Sequence, residues 1–235
     1  MSKPKVLFFD IETSPNLGYT WEKYEQNVIS FKKEWTLLAF AYKWLGGSEV
    51  QCASRRKFSE KELVKSLWQL FDAADILVAH NGNSFDIKKV KAKFVQYGLK
   101  PPSPFKSIDT KVIAARQFKF NSNSLNDLAK LLKLGSKIDT GGFDLWIKCM
   151  AGDKEAFLAM EKYNRHDVVL LEKVYEKLKA WNPNPPKVVE DRGQCPACES
   201  TRTQMRGTQI SGKGRVERLQ CQDCGKWFKG KKVKQ

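Results

Sequence analysis

The chain has 235 residues, 41% of them hydrophobic, so it is long enough to bury a core in one ordinary domain with a small appendage. Its 42 Lys and Arg against 26 Asp and Glu leave a net charge of +16, which makes nucleic acid or another anionic surface the expected partner. No run approaches the roughly 18 uncharged apolar residues of a membrane span. The first apolar stretch is cut short by Asp10 and Glu12, so neither a membrane nor secretion is expected and the working compartment is read as cytoplasmic.

In chain order, VLFFDIE (6–12) is a short apolar run that reads as a buried strand. TLLAFAYKW (36–44) and EVQCAS (49–54), joined by residues 45–48, read as a β-hairpin. Residues 59–73 place Leu63, Leu67, Leu70 and Phe71 on one helical stripe, with Ser59 as N-cap. DILVAH (75–80) is a second buried strand. Residues 86–98 form a strongly basic helix that stops at Gly98. Its lysines read as a solvated face that could also guide a phosphate backbone. SIDT (107–110) is a strand entering a helix, and SLNDLAKLLKLG (124–135) is a helix with a Ser cap and a Gly stop. Residues 153–181 make one or two helices. A meander of strands followed by strands alternating with helices predicts an α/β mixed sheet flanked by helices.

A Pro-rich connector divides the chain. The expected division is a large domain over 1–181, a linker over 182–193 and a small basic domain over 194–235. Seven of the sixteen net positive charges fall after residue 186. This tail has too few large apolar residues to fold on a hydrophobic core.

Four carboxylates occupy special positions. Asp10 and Glu12 are two apart at the end of the first strand, so both point to one face. Two like charges on an apolar strand repel and resist burial, and a divalent cation is the simplest compensation. Asp86 follows a strand and a Gly-containing turn, where it could simply cap the next helix. Asp167 lies in a helix beside the apolar run Val168, Val169, Leu170 and Leu171. Tyr163 is four residues earlier and shares its helix face.

Together these segments resemble the DEDD family of 3′–5′ exonucleases, the proofreading branch of the ribonuclease H-like fold. FFDIET matches the family's first motif with Asp10 and Glu12, NGNSFD the second with Asn81, Phe85 and Asp86, and YNRHD the third with Tyr163 and Asp167. SLNDLAKLLKL resembles the helix between the second and third motifs, and the fit runs from Val6 to about Leu178. The position five before Asp167 is Lys162 rather than His, so the resemblance is to the tyrosine subclass. His80 and His166 fall outside the family's catalytic-histidine position and read as structural.

The resemblance implies phosphodiester hydrolysis with two Mg or Mn ions, which suit oxygen ligands. It implies that Asp10 bridges both ions, that Glu12 and Asp167 serve the ion holding the attacking water, and that Asp86 serves the other. Tyr163 would orient the water. Thr13, Asn81 and Phe85 fall where the family contacts terminal nucleotides.

Cys195, Cys198, Cys221 and Cys224 form two C-x-x-C pairs 22 residues apart. That spacing reads as a closed four-thiolate structural zinc site in a reducing compartment, and the C-P-x-C and C-x-x-C-G forms resemble zinc ribbons. Arg206, Arg215, Arg218 and Trp227 combine charge with a stacking surface for nucleic acid. Protein docking is the rival use of such a ribbon.

The reading is therefore a metal-dependent 3′–5′ exonuclease, acting on DNA more readily than RNA, with a ribbon that holds the nucleic acid. A short DEDD domain followed by a zinc ribbon looks like the exonucleases encoded by bacteriophages, which implies a bacterial host cytoplasm and a replication or repair partner. The rivals are an exoribonuclease of the same fold, a non-catalytic nucleic-acid-binding or polymerase-docking module, and a structure-specific endonuclease.

Overall fold

The computed structural model describes residues 4–24, 27–186, 193–211 and 214–233. Half of the expected connector, residues 187–192, lies outside the described residues. The elements are, in order, β1 (Val6–Thr13), β2 (Leu17–Tyr19), β3 (Ser30–Lys33), β4 (Leu37–Trp44), β5 (Gln51–Ser54), α1 (Glu60–Ala73), β6 (Ile76–Ala79), α2 (Asp86–Gln96), β7 (Lys106–Asp109), α3 (Thr110–Gln117), α4 (Leu125–Leu131), α5 (Asp144–Met150) and α6 (Lys154–Leu178). A 3-10 turn (Lys179–Trp181) ends this part, and β8 (Thr203–Ser211), β9 (Gly214–Cys221) and β10 (Trp227–Lys232) follow. No helix among the described residues is long and apolar enough to cross a membrane.

The main sheet has the order β5-β4-β1-β6-β7. The hairpin strands β4 and β5 run antiparallel, while β6 and β7 run parallel to β1. This is the expected α/β mixed sheet flanked by helices. Period-two alternation along β1 assigns its side chains to two cores. Leu7, Phe9 and Ile11 pack with Leu67 and Phe71 of α1 and Val90 and Phe94 of α2. Val6 and Phe8 pack on the other face with Leu128 of α4 and Val168, Leu171 and Val174 of α6. Asp10 and Glu12 continue the second face, so the alternation that buries the core also aims both acids at α6.

The helix caps follow the residue types. Ser59 Oγ accepts from Glu62 N at 3.3 Å and Glu62 Oε2 accepts from Ser59 N at 2.7 Å, a reciprocal capping box. Asp153 Oδ1 accepts from Glu155 N and Ala156 N at the start of α6, a single 25-residue helix.

Two local expectations change. The helix expected over 124–135 ends at Leu131, because Lys133 turns into the left-handed region at φ 57°, ahead of Gly135. Lys93 of the basic helix is buried rather than solvated, with its Nζ 3.0 Å from Glu60 Oε1 and 3.1 Å from the Trp35 carbonyl. The Gln96 end of α2 precedes Gly98 at φ 68°, consistent with the expected stop. Two further elements carried no sequence signal: the exposed ribbon β2–β3, and α5, which sets Leu145 and Cys149 against Phe157 and Met160.

The C-terminal strands form a separate antiparallel sheet, β10-β9-β8. It meets the large part at Lys226, whose buried Nζ donates to the carbonyls of Ala180 (3.0 Å) and Asn182 (2.5 Å) beyond α6.

Candidate active site and cysteine cluster

The site is built at the end of β1. A register shift between Glu12 and Thr13 against β4 marks the point where regular pairing stops, and Thr13 sits on it opposite Leu37. Carboxylate oxygens of Asp10, Glu12 and Asp167 converge within 4.8 Å of one another. Asp167 is only 1% exposed, and its Oδ1 is buried with no hydrogen-bond partner. A buried carboxylate oxygen without a donor is costly, and an ion at that atom would remove the cost.

Asp86 is delivered by the turn after β6. It is the first residue of α2 rather than its N-cap, which is Phe85. Its Oδ1 accepts from Ile11 N at 3.3 Å, past the point where β1 and β6 stop pairing. The turn needs a glycine: a Cβ on Gly82 would meet Ala79 Cβ at 2.4 Å. Asn81 takes φ 67°, a conformation Asn tolerates, and its side-chain oxygen accepts from Ser84 Oγ at 2.8 Å. Asp86 adjoins Asp10 closely enough to raise its pKa, although its carboxylate stays outside the group of three. Phe85 is exposed at the rim.

α6 supplies Tyr163 and Asp167 one turn apart on one helix face. Lys137, from the loop after α4, completes the group. Its Nζ lies 2.5 Å from Asp167 Oδ2 and 2.9 Å from Tyr163 OH.

The electrostatics are those of crowded acids in an apolar wall. Burial, then the charges of Asp86, Glu12 and Asp167, hold Asp10 well above the ordinary carboxylate range. Burial and the Asp167 charge push Glu12 up to about 8. Burial raises Asp86 to about 6 against the pull of two backbone donors. Burial also raises Asp167, although Lys137 opposes it. Burial and the Asp167 charge push the Tyr163 phenol up to about 12. Burial works against the Lys137 ammonium, but Asp167 and Tyr163 outweigh it and hold the amine protonated. A set of hard oxygen donors that resists ionisation without a counter-charge fits a divalent cation such as Mg or Mn.

The two histidines serve the frame. His80 Nδ1 meets Thr110 Oγ1 at 2.8 Å and Nε2 meets the Asn123 carbonyl at 2.9 Å. His166 Nε2 donates to the Ser136 carbonyl at 2.8 Å.

The four cysteine sulfurs also lie within 4.8 Å of one another. Cys195–Cys224 and Cys198–Cys221 Sγ separations are 3.6 Å. That is far beyond a disulfide and close to the roughly 3.8 Å edge of a tetrahedron with 2.3 Å metal–sulfur bonds. Burial pushes the Cys221 thiol up, but the backbone N–H groups of Cys224 and Asp223 and the neighbouring thiols outweigh it and bring it to about 7. On the adjoining sheet Trp227 is 49% exposed with the Arg218 guanidinium 5.2 Å from its ring centre. Arg218 Nε donates to the Arg206 carbonyl at 3.0 Å, and Arg215 Nη1 reaches Thr208 Oγ1 at 3.4 Å. These residues therefore share one sheet.

Four further residues complete the site. Lys137 is one. Asn164, fully buried, donates from Nδ2 to Asp10 Oδ2 at 2.6 Å. Trp146 of α5 lies close enough to Glu12 to oppose its pKa rise. Asp109 accepts from Asn81 N (2.9 Å) and Asn83 N (3.1 Å) and so braces the turn that carries Asp86. Asn164 was detectable in principle, as the polar residue after Tyr163 inside YNRHD.

The family model RNase_H_2, of the RNase H superfamily, matches residues 7–179. No curated protein matches the chain in sequence. Among solved structures, the family B DNA polymerase of the hyperthermophilic archaeon Pyrobaculum calidifontis superposes with a TM-score of 0.56 at 15% identity. The match covers 76% of this chain and 25% of that polymerase, and at this identity it speaks for the fold alone.

Proposed function

The chain belongs to the RNase H superfamily, a superfamily of nucleases, and from that premise we propose that it is a metal-dependent 3′–5′ exonuclease of the DEDD tyrosine subclass acting on DNA. The observation that carries this reading is the convergence of Asp10, Glu12 and Asp167 beside Asp86, with Tyr163 joined to Asp167 through Lys137. Asp10, Glu12, Asp86 and Asp167 would hold two Mg or Mn ions. When bound, such ions lower the pKa of water and offset the charge that develops on the phosphate.

The chain's own groups do the positioning. Asn164 fixes the rotamer of Asp10 by donating to Oδ2. The Tyr163 phenol, pushed up to about 12, keeps its proton at neutral pH and orients water without acting as a base. Lys137 holds that phenol and Asp167 together and adds positive charge where an anionic substrate arrives.

We assign the division 1–181, 182–193 and 194–235 on the same reading, with a structural zinc ion on Cys195, Cys198, Cys221 and Cys224. The sulfur spacing supports the zinc, and the separate β8–β10 sheet supports the division. Arg206, Arg215, Arg218 and Trp227 then form a nucleic-acid face on the ribbon.

Lys137 favours one second reading. Its ammonium already pairs with Asp167, as in a binding module whose site is dormant. The test is degradation of a 5′-labelled single-stranded DNA, its RNA counterpart and a circular DNA, with Mg or Mn, beside an Asp10→Ala/Glu12→Ala double variant. A metal-dependent ladder from the 3′ end, absent in the variant and on the circle, supports the exonuclease and ranks the sugars. Cleavage of the circle means an endonuclease. Binding without cleavage, and without Mn uptake by calorimetry, means the dormant module.

A further inference from the structure

Residues 17–24 and 27–35 belong to an arm that neither core accounts for. The ribbon β2–β3 is exposed throughout, and its exposed large side chains include Tyr19, Trp21 at 83%, Tyr24 at 86% and Phe31. So many exposed large apolar side chains in one short segment are a candidate interaction site. Its exposed rings stand beside the aliphatic Leu17, Val28 and Ile29, and in sequence Lys23, Lys32 and Lys33 are balanced by Glu22, Glu25 and Glu34.

The root of the arm is fastened to the candidate active site. It leaves β1 directly after Glu12 and Thr13, and Ser14 N donates to the Thr36 carbonyl at 2.9 Å where it returns. Trp35 N donates to Asn16 Oδ1 at 2.8 Å. Lys89 Nζ lies between two rings at this root, 3.9 Å from the centre of Trp35 and 5.4 Å from that of Phe85, the neighbour of Asp86. Phe85, Lys89 and Trp35 therefore connect the turn that carries Asp86 to the root of the arm.

We propose that this arm binds the single-stranded nucleic acid upstream of the 3′ end by stacking its bases on the exposed rings, with Lys89 taking a phosphate at the root. The proposal rests on the nuclease reading above, through the continuity of the arm with that site. Rings serve any base, so the contact is sequence-tolerant. Because the arm is nearly neutral, its share of the affinity is insensitive to salt, in contrast to phosphate contacts.

The test uses the full chain carrying Tyr19→Ala/Tyr24→Ala, two exposed positions whose loss leaves both cores intact. Binding of 5′-fluorescein oligonucleotides is read by anisotropy in an Asp10→Ala/Glu12→Ala background, so that nothing is degraded. With a 16-nucleotide strand we expect the arm variant to bind at least about 25-fold more weakly, from about fivefold per ring. A 16-mer whose upstream nucleotides are abasic should bind the parent as weakly as it binds the variant. In the active chain, hydrolysis of a four-nucleotide strand should be unchanged.

Equal affinity of parent and variant for the intact 16-mer would overturn the proposal. So would an equal loss on intact and abasic strands, which would mean phosphate contacts or a damaged fold. A parent that sediments as a dimer and a variant that sediments as a monomer would make the arm a contact between copies instead. Failure of the wild-type chain to degrade any strand sinks the nuclease reading, whereas 3′ degradation with an indifferent arm variant sinks the arm alone.

Discussion

The five-stranded sheet and the three-stranded sheet are held together by opposite means. In the first, Phe9, Phe71 and Phe94 meet edge to face at 5.0 and 5.7 Å within an apolar layer, and the acids are an electrostatic load on a fold that stands without them. In the second, Val216 and Leu219 are the only buried large aliphatic side chains among the described residues, and Cys195 and Cys221 fill the rest of the interior. The difference teaches where a metal would act: in the large sheet it would relieve repulsion at the end of the central strand, and in the small one it would replace the core.

The largest expected effect breaks that comparison at its weaker side. Zinc on four thiolates contributes about 10–16 kcal/mol to folding in small domains. Cys221→Ser, or chelation of the wild type, should therefore abolish hydrogen-exchange protection across β8, β9 and β10 while β1, β4 and β6 stay protected. Protection persisting in β9 would show that the small sheet has a core of its own. The next effect concerns the other metal. Asp10→Ala should lower hydrolysis by at least about 10³-fold, from several kcal/mol of lost charge stabilisation. It should leave the metal-free melting temperature equal or higher, because a buried acid that repels Asp86, Glu12 and Asp167 is gone. A large loss of stability would mean that Asp10 supports the fold.

The parts legible in sequence were those with a short period or a fixed local spacing. Alternation along VLFFDIE placed Asp10 and Glu12 on one face, the four-residue step placed Tyr163 with Asp167, and the C-x-x-C pairs placed four sulfurs together. Long-range contacts without a periodic signature were not legible. Lys137 lies in a loop, 30 residues from its partner, and Asn164 lies 154 residues from Asp10. The arm is short, exposed on both faces and therefore free of the alternation that a buried face imposes. Lys93 misled because a helix rich in lysine looks solvated, whereas this one turns a single lysine inward to Glu60.

A pH series sharpens the contrast within the large sheet. Glu12 is raised from 4.5 to about 8, so the folded state holds the extra proton and stability falls as pH rises from about 4.5 to about 8. Burial lowers His80 from 6.5 to about 4. The folded state keeps it neutral, so its contribution is present above pH 6.5 and is lost as pH falls towards 4. The two oppose each other below pH 6.5; above it Glu12 continues to titrate, Asp10 acts in the same direction and the lowered Cys221 thiol opposes them. Glu12 alone should therefore cost metal-free protein on the order of 2 kcal/mol between pH 6.5 and 8. Glu12→Gln should flatten that slope in denaturant titrations, and saturating Mg or Mn should flatten it in the wild type. A metal-free slope unchanged by Glu12→Gln would assign the proton elsewhere.

The smallest effect tests whether the two regions behave as one. Lys226 follows the knuckle of Cys221 and Cys224, and its buried ammonium reaches the carbonyls of Ala180 and Asn182 at the end of the helix that carries Tyr163 and Asp167. Those carbonyls lie where a helix end leaves acceptors unsatisfied, and a cation there is favourable. Burial lowers the Lys226 pKa, so part of the gain is spent on desolvation. Lys226→Met keeps the stem and removes the charge, and the net loss should be about 1–2 kcal/mol, that of one charged hydrogen bond after desolvation is offset. It should appear as a small sheet that melts earlier and separately while the large sheet keeps its midpoint. If the wild type already melts in two independent steps and Lys226→Met moves neither, the contact at Ala180 and Asn182 transmits nothing between the sheets.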